Sequence, residues 1–566
     1  MISVSGKNWE EIVIKKRLIE KIKLEHNFSE ILSKILIFRN FSETEIYSIN
    51  NYVKFSNPFL NDKDFLKAIN VLTRHINKKN DILVIGDYDV DGCVSTSLLN
   101  NFLNKLNIKN SYYIPNRFID GYGASLKLIK KILKKNVPKL VIMVDCGSNS
   151  YRAVEYLNRI NIETIIIDHH NITIPQPKAS AFINPKKNLN FAYNDQYCSA
   201  FLTYLFINFF KKKNNIKFDN SDQLIFVAIA CIADVMPCRE NNRYLLIEAF
   251  KNFDINTNLI LKTFYEIDKK NKKFEFDDIS YLFSPIINSA GRMGDANKVV
   301  ELLTSSNKKK IKKISSQLFE INLKRKKLQN IIMENLDFQK HINEDGIIFL
   351  YDSKISEGLI GIIAAKISEY YDKPCIVFTK SGNLLKGSAR SISSFNIGRY
   401  IKHAIDKKIL ISGGGHNLAA GVSLYQNNIN LFKKFLDKIF KKKQHSKIHR
   451  YHSKISFSAI NNHFFNEINK LSPFGHQNSK IIFLIENVKI IKPQIIKNNL
   501  ISCLIKSKSN KFHKAFLFSP VESPLSIVLM NQKNDLNILA KINKNQWNNK
   551  ISIQLEIVDL IYSNNA

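Results

Sequence analysis

The stretch Asp81-Ile-Leu-Val-Ile-Gly86-Asp87-Tyr-Asp89-Val-Asp91-Gly92 decides how we expect the chain to fold. Its apolar half is typical of a buried strand, and three carboxylates follow at alternate positions. Carboxylates this close raise one another's pKa unless a cation neutralises them. Because ligands bind at the carboxyl ends of strands in open α/β sheets, we predict a Mg²⁺ or Mn²⁺ site at the edge of a parallel sheet. Taken alone, the motif also fits an acidic turn without a metal.

The pattern of strand, helix and strand continues after Gly92 and predicts a parallel sheet with right-handed crossovers. Polar residues end three more apolar segments: Asp145 follows residues 139–144, Asp168-His169-His170 follow residues 163–167, and Asp234 follows residues 224–233. Singly, Asp145 fits a helix cap and the histidines fit core histidines. Together they predict a carboxylate–imidazole site able to hold two divalent ions, formed by Asp87, Asp89, Asp145, His169 and Asp234.

Three motifs carry a resemblance to a known family: GDYDVDG (86–92), DCGSNS (145–150) and DHH (168–170) resemble the DHH phosphoesterase superfamily. Within it, the segment IPNRFIDGYG (114–123) is similar to the RecJ single-strand-specific exonucleases. The resemblance extends through almost the whole chain. It implies that the five residues named above ligate the metals, and that three catalytic residues lie among or just behind them: Asp91, Asp168 and His170.

Two later segments, KGSARS (386–391) and GGGHNLAAG (413–421), resemble the DHHA1 domain that follows the catalytic domain in this family. A glycine-rich loop at 413–416 would let backbone N–H groups approach an anion, although such a motif is more often only a turn. The resemblance implies that Ser388 and Arg390, with Arg117, hold the 5′ phosphate of the substrate. It also places His416 near the cleft between the two domains.

Residues 284–296 are similar to the family segment GPRINAAGR. Asn288, Gly291 and Arg292 match it, whereas Ser284 and Ile286 replace the usual glycine and arginine. Because isoleucine at 286 carries no positive charge, the substrate or structural contact of the usual arginine is not expected here. The substrate-binding residues implied by the resemblance are Arg117, Tyr122, Asn288, Arg292, Ser388, Arg390 and His416.

The remaining segments suggest the domain organisation. Residues 308–338 predict one long basic helix, either a solvated spacer or a wall of a DNA groove. Short alternating runs near the C-terminus predict a small β-barrel, and the family has an OB-fold at this place. Such a barrel would bind single-stranded DNA or would only pack on the core of the protein. The runs are Ile482–Ile485, Leu500–Ile505, Ala515–Phe518, Ile527–Met530 and Ile551–Ile557. The predicted divisions are a helical segment 1–70, the α/β DHH domain 71–300, a connecting helix 301–342, the smaller α/β DHHA1 domain 343–445 and the OB-fold domain 446–566.

Composition adds weaker constraints. The chain has 566 residues, a hydrophobic content of 45% and a net charge of +35, which favours a polyanionic partner, although lysine is abundant throughout. It has seven cysteines, an odd number, and no CxxC motif, which favours a reducing compartment and argues against a cysteine zinc site. No apolar run is long enough to cross a bilayer, and the N-terminus does not resemble a signal peptide. We therefore expect a cytoplasmic protein.

The resemblance implies a single-stranded-DNA-specific 5′→3′ exonuclease that uses two Mg²⁺ or Mn²⁺ ions, releases 5′ mononucleotides and serves DNA repair and recombination. A monomer is expected, with a single-strand-binding protein and a helicase as partners. One alternative is a DHH phosphodiesterase of short oligonucleotides or cyclic dinucleotides. A second alternative is a non-catalytic DNA-binding relative, which the complete set of expected ligands disfavours.

Overall fold

The fold is taken from a computed structural model, which describes residues 1–172, 174–187, 196–251, 253–270, 272–335, 346–441, 448–497, 499–508, 510–531, 535–547 and 550–563. The chain forms two compact units. The first unit contains residues 1–55, 237–248 and 445–566, and the second contains residues 56–236 and 249–444. In the described parts of the chain, no helix combines the length and the apolar character needed to cross a membrane.

The N-terminal segment belongs to the first unit and is not purely helical. Its elements are β1 (Asn8–Glu11), α1 (Lys16–His26), α2 (Glu30–Phe38) and α3 (Glu43–Tyr47). Ser29 caps α2, and Ser42 with Glu45 forms a capping box at the start of α3. Apolar residues of α2 and α3 share one hydrophobic core with the C-terminal barrel, so this segment is part of that unit's core.

A five-stranded parallel sheet forms the first half of the second unit, as predicted. Its elements are α4 (Lys63–Asn77), β2 (Ile82–Ile85), α5 (Val90–Lys105), β3 (Asn110–Tyr113), α6 (Leu126–Leu133), β4 (Leu140–Val144), α7 (Tyr151–Arg159), β5 (Glu163–Ile167) and β6 (Ala181–Ile183). The strand order is β3-β2-β4-β5-β6. β3 lies on one side of β2 and β4 lies on the other, so the strand order reverses at β2. Open α/β sheets bind ligands in the crevice at such a point.

Helices follow the sheet along the chain: α8 (Ser199–Lys213), α9 (Leu224–Ala233), α10 (Glu240–Lys251), α11 (Leu259–Ile267), α12 (Phe276–Asp278), α13 (Ser284–Met293), α14 (Asn297–Leu303) and α15 (Lys308–Asn335). Residues 240–248 of α10 belong to the first unit. The central helix α5 packs against α8 and α9 and is therefore buried on nearly every side. The long basic helix α15 buries Ile311, Ile314 and Leu318, as its apolar stripe predicts. Residues 336–338 of the predicted helix lie outside the described residues.

The second half of the same unit is a mixed sheet. Its elements are β7 (Ile348–Tyr351), α16 (Ile360–Tyr371), β8 (Cys375–Ser381), β9 (Leu384–Arg390), α17 (Ile397–Asp406), β10 (Ser412–Gly415), β11 (Ala419–Leu424) and α18 (Ile429–Lys441), in the strand order β10-β11-β9-β8-β7. The prediction of a glycine-rich loop at 413–416 is wrong over Gly413–Gly415. These glycines form β10, because their backbone pairs with β11.

The C-terminal part of the first unit is a closed barrel, as predicted. Its elements are β12 (Ile448–Tyr451), β13 (Ser453–Lys454), α19 (Asn462–Asn469), β14 (Phe483–Lys497), β15 (Leu500–Lys506), β16 (Phe512–Phe518), α20 (Pro524–Asn531), β17 (Leu536–Trp547) and β18 (Lys550–Tyr562). The order β13-β14-β15-β16-β18-β17 closes through pairing of β14 with β17, and β12 pairs with β1. The strand predicted at Ile527–Met530 is wrong, because this short apolar run lies in helix α20, and the length of such a run does not separate the two states.

Candidate active site

The acidic loop after β2 is folded tightly onto the start of α5. Asp89 is the N-cap residue of α5, and its Oδ1 accepts a hydrogen bond from the Gly92 backbone N–H at 3.0 Å. A Cβ atom on Gly92 would lie 2.4 Å from the Asp87 carbonyl oxygen, so only glycine fits there. The helix start therefore fixes the direction of the Asp87 and Asp89 carboxylates.

Acidic residues from separate elements meet around the imidazole of His169. Its Nε2 lies 3.3 Å from Asp145 Oδ1, 3.4 Å from Asp234 Oδ2 and 3.8 Å from Asp91 Oδ2. Asp87, Asp89 and Asp145 form a second group, in which one carboxylate oxygen from each residue lies within 4.8 Å of the other two. Asp145 adopts the left-handed backbone conformation, with φ of 57°. The structure thus brings together all five residues predicted to bind metal.

Several carboxylate oxygens of this site lack the hydrogen-bond donors that buried acceptors require. Among the residues that the structure describes, no hydrogen-bond partner is found for four buried oxygens: Asp87 Oδ1, Asp145 Oδ1, Asp145 Oδ2 and Asp234 Oδ2. Burial, and after it the charge of Asp89, raises the pKa of Asp87 to about 8. Burial and the Asp91 charge raise the pKa values of Asp145 and Asp234 well above their usual range. Buried carboxylate oxygens without hydrogen-bond donors fit a divalent cation, because the cation would coordinate these oxygens and stabilise the ionised carboxylates.

Asp168 holds the DHH turn rather than facing the acidic group. Its Oδ2 accepts from the Ser148 N–H at 2.9 Å, and its Oδ1 lies 2.8 Å from His170 Nδ1. Although burial opposes ionisation, the His170 charge holds the pKa of Asp168 well below its usual range. Burial lowers the pKa of His170, but the Asp168 charge outweighs it and raises that pKa to about 9. By contrast, burial lowers the pKa of His169, which leaves a neutral imidazole suited to a metal.

Asp91 ties the acidic loop to helix α8. Its two carboxylate oxygens accept from the backbone N–H groups of Ser199 and Ala200, at 2.7 and 2.8 Å, at the start of α8. Both donors are otherwise unpaired groups of a helix N-terminus. Asp91 also belongs to the group around His169, because one of its oxygens lies within 4.8 Å of ligand atoms of His169 and Asp234.

Asn184 also belongs to this site, although the sequence pattern did not predict it. It is buried, and its Nδ2 donates to Ser148 Oγ at 2.8 Å and to the His170 carbonyl oxygen at 2.9 Å. It thereby joins the turns after β4 and β5. The signal was present, because Asn184 also directly follows a strand, but β6 has only three residues and was not predicted.

A cluster of arginines, which we call the arginine cluster, consists of Arg117, Arg292 and Arg390. The Arg117 guanidinium lies 5.0 Å from the centre of the Tyr88 ring. Burial, followed by the charges of Arg117 and Arg390, lowers the pKa of Arg292 to about 10. None of the three forms an ion pair with a carboxylate in the part of the chain described. Guanidinium groups that have no carboxylate partner in the described chain are suited to bind phosphate.

The arginine cluster lies where the two sheets of the second unit meet. Arg292 Nη1 donates to the Gly358 carbonyl oxygen at 3.4 Å, and a Cβ on Gly358 would lie 2.0 Å from the Arg292 carbonyl oxygen. A Cβ on Gly361 would lie 3.1 Å from Ser388 Oγ and 3.3 Å from Arg390 Nη2. The segment that contains Gly358 and Gly361 therefore contacts the Arg292 backbone at one end and the side chains of Ser388 and Arg390 at the other, which brings Ser388 and Arg390 of β9 close to Arg292.

The other predicted substrate residues lie around this junction. Tyr122 Oη lies 3.0 Å from His170 Nε2, and Asn288 precedes Arg292 by four residues on one face of α13. His416 follows β10, whose Gly415 carbonyl accepts from Asn171 Nδ2 at 3.4 Å. Ile286, which replaces the family's arginine, is 1% exposed and belongs to the core. An isoleucine there thus packs as an apolar residue.

Gly291 gives a first test of how α13 supports the acidic loop. A Cβ at this position would lie 2.0 Å from the Tyr88 carbonyl oxygen, so we expect Gly291→Ala to displace the loop that carries Asp87 and Asp89. The expected destabilisation is about 1–3 kcal/mol, despite alanine's better helix propensity. Urea unfolding and turnover would be measured beside Gly421→Ala, whose Cβ meets nothing within 4 Å. Equal behaviour of the two variants would contradict the inference.

Comparisons with known proteins agree with this arrangement. Family models match three segments: the DHH family N-terminal domain at residues 81–231, the DHHA1 domain at 344–442 and the RecJ OB domain at 451–559. The chain is 29% identical over 393 residues to the single-stranded-DNA-specific exonuclease RecJ of Escherichia coli, covering 65% of this chain and 67% of that protein. It is 24% identical over 574 residues to RecJ of Bacillus subtilis, covering 96% and 70%.

A solved structure shares the fold over nearly the whole chain. The crystal structure of RecJ in complex with Mn²⁺ from Thermus thermophilus superimposes with a TM-score of 0.82 at 18% identity, covering 98% of this chain and 80% of that one. A second crystal structure of that protein, in complex with Mg²⁺, gives a TM-score of 0.76.

Proposed function

The chain belongs to the RecJ family of single-stranded-DNA-specific exonucleases within the DHH phosphoesterases, and we propose that it hydrolyses single-stranded DNA from the 5′ end, one nucleotide at a time. The products are 5′ mononucleotides, and the setting is DNA repair and recombination. The observation that supports this best is the group of buried carboxylate oxygens without partners beside a neutral His169.

Two divalent ions, Mg²⁺ or Mn²⁺, fit this group, and we propose Asp87, Asp89, Asp145, His169 and Asp234 as their ligands. When bound, such ions lower the pKa of water and neutralise the charge that develops on the phosphate. Asp91, Asp168 and His170 support the ligands in this proposal. Asp91 fixes the acidic loop to α8, and Asp168 orients the DHH turn through hydrogen bonds.

The polarity of digestion depends on the arginine cluster. We assign the terminal 5′ phosphate to Arg117, Arg390 and Ser388, with Arg292 beside them. The guanidinium fork matches the phosphate oxygens, and the Ser388 hydroxyl adds a further donor. Holding the strand by its end places the next phosphodiester at the carboxylates around His169. In this arrangement a single nucleotide separates the anchored phosphate from the bond that is cut.

The proposal is tested by digestion of 5′-phosphorylated DNA labelled at either end. With the label at the 5′ end, we expect the first labelled product to be a mononucleotide. With the label at the 3′ end, the strand should shorten progressively, and a matching duplex should resist digestion. Addition of a chelator is the control. Early release of a 3′ label, or faster cleavage of a dinucleotide than of the long strand, would contradict the proposed polarity and substrate.

Further features follow from membership of the family. We propose that single-stranded DNA also contacts the OB-like barrel, that the chain acts as a monomer, and that a single-strand-binding protein and a helicase are its partners. We propose a cytoplasmic location, which the seven buried free cysteines support. We also propose that the predicted domain divisions describe the modules of the catalytic chain, with residues 1–55 packed as part of the barrel unit.

A further inference from the structure

Helix α15 carries a fourth arginine near the arginine cluster. Arg325 is 8% exposed and lies on the buried side of α15, a helix that packs against α13, which bears Arg292. Further along α15, Leu328, Ile332 and Met333 pack on the core around β7 and α16. Arg325 therefore lies where α15 passes from one sheet of the second unit to the other. The packing of α15 on α13 places Arg325 on the same side of the junction as Arg292, and its charge is a smaller cause of the lowered pKa of Arg292, after burial and the charges of Arg117 and Arg390.

The partners of Arg325 are neutral amides. Its Nε and Nη2 donate to Asn322 Oδ1 at 3.1 and 2.8 Å, and its Nη1 donates to Gln329 Oε1 at 3.0 Å. Asn322 and Gln329 are themselves buried, at 5% and 4% exposure. No carboxylate of the described chain pairs with Arg325. Three of its five N–H donors are thus satisfied while its positive charge is fully retained.

Keeping a buried charge without a counterion is costly, and proteins normally pair such a charge. An aspartate at 322 or a glutamate at 329 would have nearly the same shape as the present residue and would neutralise Arg325. A local arrangement that works against stability is expected where a function depends on it. Together with Arg325, the three arginines of the arginine cluster place four guanidinium groups at this junction. None of the four forms an ion pair among the described residues.

We propose that Asn322 and Gln329 hold Arg325 as an unneutralised charge whose function is to favour a terminal phosphomonoester over an internal phosphodiester at the arginine cluster. A terminal phosphate carries close to two negative charges at neutral pH, whereas an internal phosphodiester carries one, so each added positive charge favours the chain end. Arg325 is a positioning residue here, because it acts on the phosphate through the positive electrostatic potential that it adds at the arginine cluster. The inference rests on the proposed function, since it specifies how the strand end is recognised.

The decisive variant is Asn322→Asp, which supplies a carboxylate to Arg325 with little change of shape. We expect it to reduce the preference for a 5′-phosphorylated over a 5′-hydroxyl oligonucleotide by about tenfold. Binding is measured by fluorescence anisotropy in the presence of a chelator, so that the readout does not depend on catalysis. We expect thermal stability to be unchanged or increased, because the new pair neutralises a buried charge. The matched control is Asn330→Asp, the same change at an exposed position of α15.

The outcomes separate the two possible roles of Arg325. If Asn322→Asp binds both oligonucleotides like the original chain, Arg325 has only a structural role and the inference is wrong. Arg325→Lys should keep most of the phosphate preference and Arg325→Met should lose it, each compared at equal folded fraction. If the original chain shows no preference for a 5′ phosphate, the assignment of the arginine cluster under the proposed function fails instead.

Discussion

Replacement of Asp145 by asparagine is expected to lower the rate of single-strand hydrolysis by about 10³-fold, because bound divalent ions contribute several kcal/mol to the transition state. Asp145 is the strongest choice because both of its carboxylate oxygens are buried and neither has a hydrogen-bond partner in the described part of the chain. Asparagine has the same shape and tolerates the left-handed backbone at this position, so the fold should persist.

The measurements are turnover of a 5′-labelled strand, metal content of the purified protein and strand affinity. Asp254→Asn is the matched control, because Asp254 is exposed and caps a short helical turn that asparagine can also cap. We expect Asp145→Asn to lose metal and turnover while it keeps most of its affinity for the strand. Near-normal turnover with a normal metal content would show that the carboxylates around His169 are not the metal site.

Arg390→Ala is expected to weaken the use of 5′-phosphorylated strands by about 10- to 100-fold, because hydrogen bonds to charged groups contribute about 1.5–3 kcal/mol each. The loss should appear mainly as a higher KM. Strands with a 5′ hydroxyl should be affected much less, because they do not engage the guanidinium. Burial and the Arg117 charge lower the pKa of Arg390, so its charge is already costly and an anion would relieve that cost.

Arg399→Ala is the control for this variant, because Arg399 lies on α17 in the same sheet module and is exposed. It should behave like the original chain on both substrates. If Arg390→Ala lowered the use of both strand types equally, the group would serve general strand binding and a different residue would recognise the chain end.

The parallel sheet and its site were predictable from the sequence for a local reason. Each of the strands β2, β4 and β5 is a short apolar run that ends in acids or histidines, and parallel strands bring those ends to one edge. The positions of these residues along the chain therefore predicted that they meet at one edge, where we propose that they bind metal. Asn184 was missed because β6 is too short to give a periodic signal.

Other features depend on contacts that no local pattern reveals. Gly413–Gly415 have a low intrinsic preference for strands, and they form β10 because β11 offers a partner. The run Ile527–Met530 is predicted as one of the alternating strands, but all four of its residues are apolar, and packing on the barrel decides that it is helical. The spacing of Asn322, Arg325 and Gln329 places them on one helix face, but only the packing of α15 shows that this face is buried.

The contact between Gly358 and the Arg292 carbonyl has a consequence for the length of the released product. A Cβ on Gly358 would lie 2.0 Å from this carbonyl oxygen, so the backbones of the two sheet modules are in close contact beside the groups that we propose to bind the strand end. A single added methyl group would push Ser388 and Arg390 away from Arg117 and from the carboxylates around His169. Under the proposed function, the number of nucleotides between the bound 5′ phosphate and the bond that is cut would then depend on Gly358, which is not one of the proposed phosphate or metal ligands.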